Sequence, residues 1–293
     1  MRRRPRWAPE PPVELPEGRI VHLPGRGEFF LRDTGGHGTP VLLLHGWMFQ
    51  SDLNWFRTYG PLADAGYRVL AVDHRGHGRG LRTPEPFRLV DCAHDAAALM
   101  ETVGVGPVIA CGYSMGGPVA QLMARDHRSQ VRGLVCCATS SHWTEPRMKW
   151  TWRVMGALRL GLNLFPTAAW RRGLRLAGMP ESQATTWVAA ELTRGASADL
   201  AEAGRELGRY DGRPWLTSLR DLPSSVVVTA KDRDVPPRVQ RELAELLGAD
   251  CFELAGDHLV VAARAERFNP VLLDAIRSIE DRIAQPDRES AAA

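Results

Sequence analysis

The feature that most constrains this chain is the stretch Val108-Ile109-Ala110-Cys111-Gly112-Tyr113-Ser114-Met115-Gly116-Gly117. An apolar run ends in Gly112, Ser114 follows at the turn, and Gly116 opens a segment of mostly small residues that continues to Arg125. The pattern reads as strand, sharp turn and helix, with a serine at the apex. Glycine suits both flanks, because a side chain at 112 or 116 would press into the neighbouring strand and helix, and the serine itself must adopt a strained backbone. A helix starting directly behind Ser114 aims backbone N–H groups and the positive end of its dipole at the place where a negative oxygen would develop. Alone, the pattern also fits a glycine-rich turn between a strand and a helix. The deciding question is whether the chain supplies a base, an acid to orient it and a second N–H donor.

On either side of that stretch, strand and helix patterns alternate. Arg19–Leu23 and Glu28–Arg32 read as a hairpin around Pro24-Gly25-Arg26-Gly27. Val41–Leu44, Tyr67–Val72, Val108–Cys111 and Val131–Ala138 are apolar runs that suit strands covered on both faces. Trp55–Asp64 and Leu89–Val103 pattern as helices between them. From about Ser140 to Trp215 only helical stretches appear, broken at Pro166, Pro180 and Pro214. The alternation resumes with Val226–Thr229, a helix over Arg238–Leu247, Cys251–Leu254 and a last helix from about Pro270 to Ile283. This predicts an α/β protein with a mostly parallel sheet of about eight strands flanked by helices. A helical insertion is expected after the sixth strand, over residues 140–215. Residues 19–139 and 216–283 then form the core, 1–18 a disordered arm and 284–293 a flexible tail.

Composition narrows the function. The net charge of +3 is too small to argue for nucleic acid. The basic N-terminus lacks the apolar core of a secretory signal, and no apolar run reaches a membrane span. The five cysteines are an odd count without framework spacing, which suits buried free thiols and a cytoplasmic location.

In open parallel sheets, sites form outside the carboxyl ends of the strands. Four such ends carry suggestive residues here. After Val41–Leu44 comes His45-Gly46-Trp47, whose turn can present the Trp47 N–H toward Ser114. The Met115 N–H, directly after the serine, is the other donor a tetrahedral oxyanion would need. A serine hydroxyl is a poor nucleophile until a base takes its proton. Gly256-Asp257-His258, after the last strand, offers His258 as that base. Thr229-Ala230-Lys231-Asp232-Arg233-Asp234 ends the strand before it, and Asp232 is favoured over Asp234 as the carboxylate that orients His258. His74 and His77 are spaced i, i+3, but they sit in a glycine-rich loop without a ligand set, so no metal is expected.

With His45-Gly46-Trp47, Asp73-His74-Arg75-Gly76-His77-Gly78, Gly112-Tyr113-Ser114-Met115-Gly116-Gly117, Asp232 through Pro236 and Gly256-Asp257-His258 in hand, the chain resembles the α/β-hydrolase family over roughly residues 19–283. The chain order Ser114, Asp232, His258 matches that family's nucleophile elbow and triad. The resemblance implies that Trp47 and Met115 supply the oxyanion N–H groups and that the 140–215 insertion is a helical cap. It implies a serine esterase or lipase-like hydrolase with no cofactor. A serine at the elbow argues against the dehalogenase and epoxide hydrolase chemistry that the fold runs with an aspartate. Lactones, thioesters, carbon–carbon bond hydrolysis and cofactor-free haloperoxidase or perhydrolase chemistry stay open on the same triad, as does a ligand-binding protein with little turnover.

The insertion holds six of the nine tryptophans: Trp143, Trp150, Trp152, Trp170, Trp187 and Trp215. Met148, Trp152, Met155, Leu158 and Leu162 recur at helical spacing, which suits a cap helix with its apolar side over the site. Trp143, Trp152 and Met155 are the expected substrate-lining residues, and an apolar ester is the expected substrate. Seven arginines and lysines and no acidic residue fall between Arg147 and Pro180, so weak contact of the cap with anionic lipid is a second expectation.

Overall fold

The computed structural model describes residues 9–144, 182–195 and 197–291, together with Leu160, Trp170, Arg172 and Arg175. Eight strands form one sheet: β1 (Gly18–Leu23), β2 (Gly27–Asp33), β3 (Pro40–Leu44), β4 (Arg68–Val72), β5 (Val108–Tyr113), β6 (Val131–Cys137), β7 (Ser224–Thr229) and β8 (Asp250–Leu254). Their spatial order is β1-β2-β4-β3-β5-β6-β7-β8. The β1–β2 hairpin and the β2–β4 pair are antiparallel. Every pairing from β4 through β3 to β8 is parallel. The apolar runs are where they are because helices cover both faces. All six residues of β5 and all six of β7 are buried, so neither strand shows the alternation of a one-sided sheet.

The two faces carry separate apolar clusters. Leu42, Leu44, Ala110 and Leu134 pack with the helices Leu89–Thr102, Gly116–Asp126 and Pro237–Leu247. Val41, Leu43, Ile109 and Val135 pack on the opposite side with Trp55, Leu62, Phe268, Leu272 and Ile276. Residues alternate along each strand between these clusters, as the pleat requires.

Three elements differ from the sequence reading. The single helix expected over Trp55–Asp64 is two short helices, Ser51–Trp55 and Tyr59–Asp64. Pro61 lies in the first turn of the second, where a missing N–H costs no intrahelical bond, so a new helix starts there rather than one continuing through. The final helix runs from Ala265 to Ala291, beyond the expected span at both ends. Its N-terminal extension is held by Ala265 and Phe268, which are fully packed. A short helix, Val260–Ala263, follows His258 directly.

Between β6 and β7 the described residues include the helices Gln183–Leu192 and Ser197–Leu207 and no strand. The first opens on a capping box in which Ser182 and Thr185 satisfy each other's backbone N–H groups. Its Trp187 packs edge-on against Phe56, with ring centroids 5.3 Å apart. A bridge between His142 and Asp211 joins the two ends of the insertion. Near the start of the chain, Leu15 packs onto the apolar clusters, including the one that holds Trp187, and the Pro16 carbonyl accepts a hydrogen bond from Arg32. Among the described residues, no helix is long and apolar enough to cross a membrane.

One buried ionic network anchors the loops on the site side of the sheet. Arg32 makes a two-pronged pair with Asp52 at 2.9 and 2.8 Å, and Arg79 reaches the same carboxylate at 2.8 Å. Asp73 accepts from the Ser51 N–H at 2.9 Å and from the Arg79 N–H at 2.8 Å. Burial alone would raise the Asp73 pKa, but the Arg79 charge and these donors hold it below the ordinary carboxylate value. Removing Asp73 takes the acceptor from the buried Ser51 N–H and hydroxyl and one of the two carboxylate partners from Arg79, which keeps Asp52. Asp73→Ala should therefore lower unfolding free energy by about 3–5 kcal/mol in urea titration. Asp73→Asn should lose less, and equal stability of wild type and Asp73→Ala would contradict this account.

Candidate active site

β5 ends at Tyr113, and Ser114 takes φ +52°, a left-handed backbone that non-glycine residues rarely adopt. The neighbours hold it there. Its N–H donates to the Cys137 carbonyl at 3.0 Å, and its own carbonyl accepts from the Gly117 N–H at 2.9 Å and the Thr139 hydroxyl at 2.7 Å. The flanking glycines are sterically required. A Cβ at Gly112 would lie 2.1 Å from the Gly116 carbonyl oxygen, and one at Gly116 would lie 2.1 Å from that of Leu44. Met115 then caps the helix Gly116–Asp126 and is fully buried.

The structure brings the three expected polar residues into one chain of hydrogen bonds. Ser114 Oγ lies 2.9 Å from His258 Nε2, and His258 Nδ1 lies 2.7 Å from Asp232 Oδ2. The Asp232 carboxylate is held from all sides. One oxygen accepts from the Asp234 and Val235 N–H groups, both at 2.9 Å. The other accepts from the Thr229 hydroxyl at 2.8 Å as well as facing His258. Asp232, not Asp234, therefore touches the imidazole, and Asp234 closes the turn through its backbone.

His258 is electrostatically biased. Burial penalises its charged form, but the hydrogen bond and charge of Asp232, supported by Asp234 and Asp257, outweigh that and raise its pKa above the ordinary 6.5. The same residue type behaves oppositely nearby. His45, His74 and His77 are buried together, with the His45 ring centroid 4.3 Å from that of His74 and 5.4 Å from that of His77. Burial pushes all three pKa values down, that of His77 to about 3. They are neutral packing residues, and His45 uses both ring nitrogens. Its Nδ1 donates to the Gly46 carbonyl at 2.8 Å, and its Nε2 accepts the His74 N–H at 2.9 Å. A cation would find Asp232, Asp234 and His258 with ligand atoms within 4.8 Å of one another. Both His258 nitrogens are already engaged by Asp232 and Ser114, however, so a cation there would have to displace one of these contacts.

Gly46 packs directly on Ser114; a Cβ there would lie 3.2 Å from Ser114 Cβ. Its N–H donates to Asn54 Oδ1 at 2.9 Å. Trp47 follows, half-buried. Trp143 is placed in the large apolar cluster with Ala203, Leu207 and Tyr210. Trp152 and Met155, the other expected lining residues, lie outside the described residues.

Several supporting residues were not foreseen. Tyr113 donates its hydroxyl to the His258 carbonyl at 2.9 Å, tying the histidine loop to the strand that carries Ser114. Gln240 accepts the Thr229 N–H at 3.0 Å and donates to the Val235 carbonyl at 2.7 Å, bracing the Asp232 turn. A sequence signal existed for two of them. Thr229 is a polar residue closing an apolar run, and Gln240 is a polar residue on the apolar face between Val239 and Leu243.

Residues 41–271 match the model of the Alpha/beta hydrolase family, well over half of the chain. The chain is 38% identical over 105 residues to a non-heme haloperoxidase of Rhodococcus erythropolis, covering 36% of this chain and 38% of that protein. It is 36% identical over 100 residues to a bifunctional esterase/perhydrolase of Acinetobacter calcoaceticus, covering 33% of this chain and 36% of that one. The chain thus spans less than half the length of the curated relatives it matches. Among solved structures, an esterase of Exiguobacterium antarcticum superposes with a TM-score of 0.76 at 19% identity, covering 89% of this chain and 100% of that one. At that identity the likeness shows the fold alone.

The relay predicts how His258 titrates. Its ring should titrate above 6.5 by NMR, assigned by difference from a His258→Gln sample. Asp232→Asn removes the main raising influence while burial stays, so the midpoint should move down. A midpoint unmoved by Asp232→Asn would contradict the relay.

Proposed function

The chain belongs to the alpha/beta hydrolase family, and from that premise we propose that it is a serine hydrolase cleaving carboxylic esters of apolar acyl groups through an acyl-enzyme. The observation that carries the reading is the continuous relay from Ser114 through His258 to Asp232, at 2.9 and 2.7 Å, with the serine held in a left-handed backbone.

In this reading, His258 Nε2 takes the proton of Ser114 Oγ as the oxygen attacks the ester carbonyl. The carbonyl oxygen becomes an oxyanion facing the N–H groups of Trp47 and Met115. The helix Gly116–Asp126 presents its positive end on the same side. His258, now cationic and stabilised by Asp232, returns the proton to the leaving alkoxide. The acyl group stays on Ser114 until water, deprotonated by His258, releases it as the acid. Losing one oxyanion donor would cost roughly 3–4 kcal/mol of transition-state stabilisation. His258 must be neutral to act as base, so turnover falls as pH drops through its raised pKa.

The core, residues 19–139 and 216–283, supplies every group in this scheme. The cap over residues 140–215 is proposed to select the acyl group. The arginine- and tryptophan-rich stretch falls largely outside the described residues, and weak contact of the cap with anionic lipid is a separate proposal that this scheme does not need. A second reading uses the same acyl-enzyme with hydrogen peroxide replacing water, giving a peracid. It is favoured by the similarity to a bifunctional esterase/perhydrolase.

Ser114→Ala and His258→Ala should each lower ester turnover roughly a thousandfold or more, and Asp232→Asn by a hundredfold or more, on the order seen for such relays. Asp234→Asn should retain activity. A fluorophosphonate probe should label wild type and fail on Ser114→Ala. An unlabelled wild type would favour a ligand-binding protein, and an inactive Asp234→Asn would overturn the assignment of the acid.

A further inference from the structure

The loop that packs on Ser114 is pinned unevenly. Upstream, core groups fix it: Asn54 accepts the Gly46 N–H at 2.9 Å, and His45 Nδ1 donates to the Gly46 carbonyl at 2.8 Å. Downstream, Met48 sits at φ +63°. A non-glycine residue in that region costs on the order of 1–3 kcal/mol and persists only where its surroundings hold it. Trp47 lies between, and its side chain does not point into the core helices alone. Its indole N–H donates to the Leu200 carbonyl at 2.7 Å, 153 residues away on the helix Ser197–Leu207.

That helix is itself firmly seated. Ala203 and Leu207 are buried in the main apolar cluster. Glu202 accepts the Phe87 N–H at 3.2 Å. Arg82 bridges the Gly78 carbonyl at 2.7 Å and the Arg194 carbonyl at 2.9 Å, just before the helix. Gln50, three residues after Trp47, donates to Glu191 on the preceding helix of the insertion. The insertion therefore grips the loop that runs against the nucleophile at two points, one of them on the residue whose backbone would serve the oxyanion.

We infer that the Trp47 indole is a positioning group: by donating to Leu200 it sets the backbone of the oxyanion loop against Ser114, and so couples the helix Ser197–Leu207 to the barrier for acyl transfer. The inference rests on the serine-hydrolase reading. Its physical basis is tolerance, since an oxyanion donor must be held to within about 0.5 Å to keep its value. An indole suits the contact, because it combines a large apolar ring with a donor at its edge, and phenylalanine keeps a ring without that donor.

The test is Trp47→Phe, which keeps an apolar ring and removes the N–H. It is read by the second-order rate of fluorophosphonate labelling at Ser114, by kcat and KM for p-nitrophenyl acetate, and by affinity for phenylboronic acid. Labelling, kcat and boronate affinity should each fall about tenfold. KM and the thermal midpoint should stay close to wild type, a split that loss of packing alone would not give. Glu202→Ala, which loosens the helix from outside the site, should lower labelling in the Trp47 protein and have little further effect in Trp47→Phe. Wild-type rates in Trp47→Phe, a joint collapse of KM and thermal midpoint with kcat, or a Glu202→Ala effect independent of residue 47 would overturn the inference while leaving the hydrolase reading intact. A wild type that neither labels nor turns over ester would overturn the hydrolase reading, and the inference with it.

Discussion

The site side of this molecule depends on one backbone torsion, the left-handed φ of Ser114. The conformation is unfavourable for a residue with a side chain, by on the order of 1–3 kcal/mol, and nothing in Ser114 itself favours it. It is held by close backbone packing that only Gly112 and Gly116 permit, and by three hydrogen bonds on the Ser114 peptide groups. The result is a hydroxyl lifted off the end of β5 to within 2.9 Å of His258. The central position of β5, between β3 and β6, brings both neighbouring strand ends to the same place. The β3 end delivers Gly46, and the β6 end delivers Cys137 and Thr139.

Electrostatics then separates histidines that composition cannot tell apart. His45, His74 and His77 are buried without a carboxylate in hydrogen-bond contact, because Asp73 spends its oxygens on Ser51 and Arg79. Desolvation dominates, and they stay neutral. His258 is also desolvated, but Asp232 touches its Nδ1, and the balance reverses. The proposed base is thus distinguished by a single contact and by the turn that presents it. That turn is stiffened by Thr229 and Gln240, so the carboxylate cannot rotate away from the ring without losing several bonds at once.

Much of this was legible in the chain before its structure. The runs at Val41, Tyr67, Val108, Val131 and Val226 announced strands because a strand covered on both faces is apolar throughout. Ser114 and Asp232 were legible because each follows such a run, and His258 because it follows the last strand pattern, Cys251–Leu254, on the same rim where parallel sheets build sites. The break at residues 56–58 was not legible, because apolar periodicity continues across it and only Pro61 hints at a restart. Tyr113 and Asn54 were missed for a different reason. Their roles come from contacts that topology alone creates, and a single polar residue in an apolar stretch has no periodic signature. The bond from Trp47 to Leu200 is the extreme case, since its two ends belong to different parts of the chain.

The central claim is that Ser114 becomes covalently acylated. Rapid-quench reaction with p-nitrophenyl butyrate tests it most directly, with nitrophenolate release followed in time and the quenched protein digested for mass spectrometry. The account predicts a burst approaching one nitrophenolate per chain where deacylation is slow, and a butyryl mass on the peptide containing Ser114, retained longest at low pH where His258 is protonated. Ester turnover with the acyl group on another residue, or turnover that persists at the wild-type rate in Ser114→Ala, would contradict it.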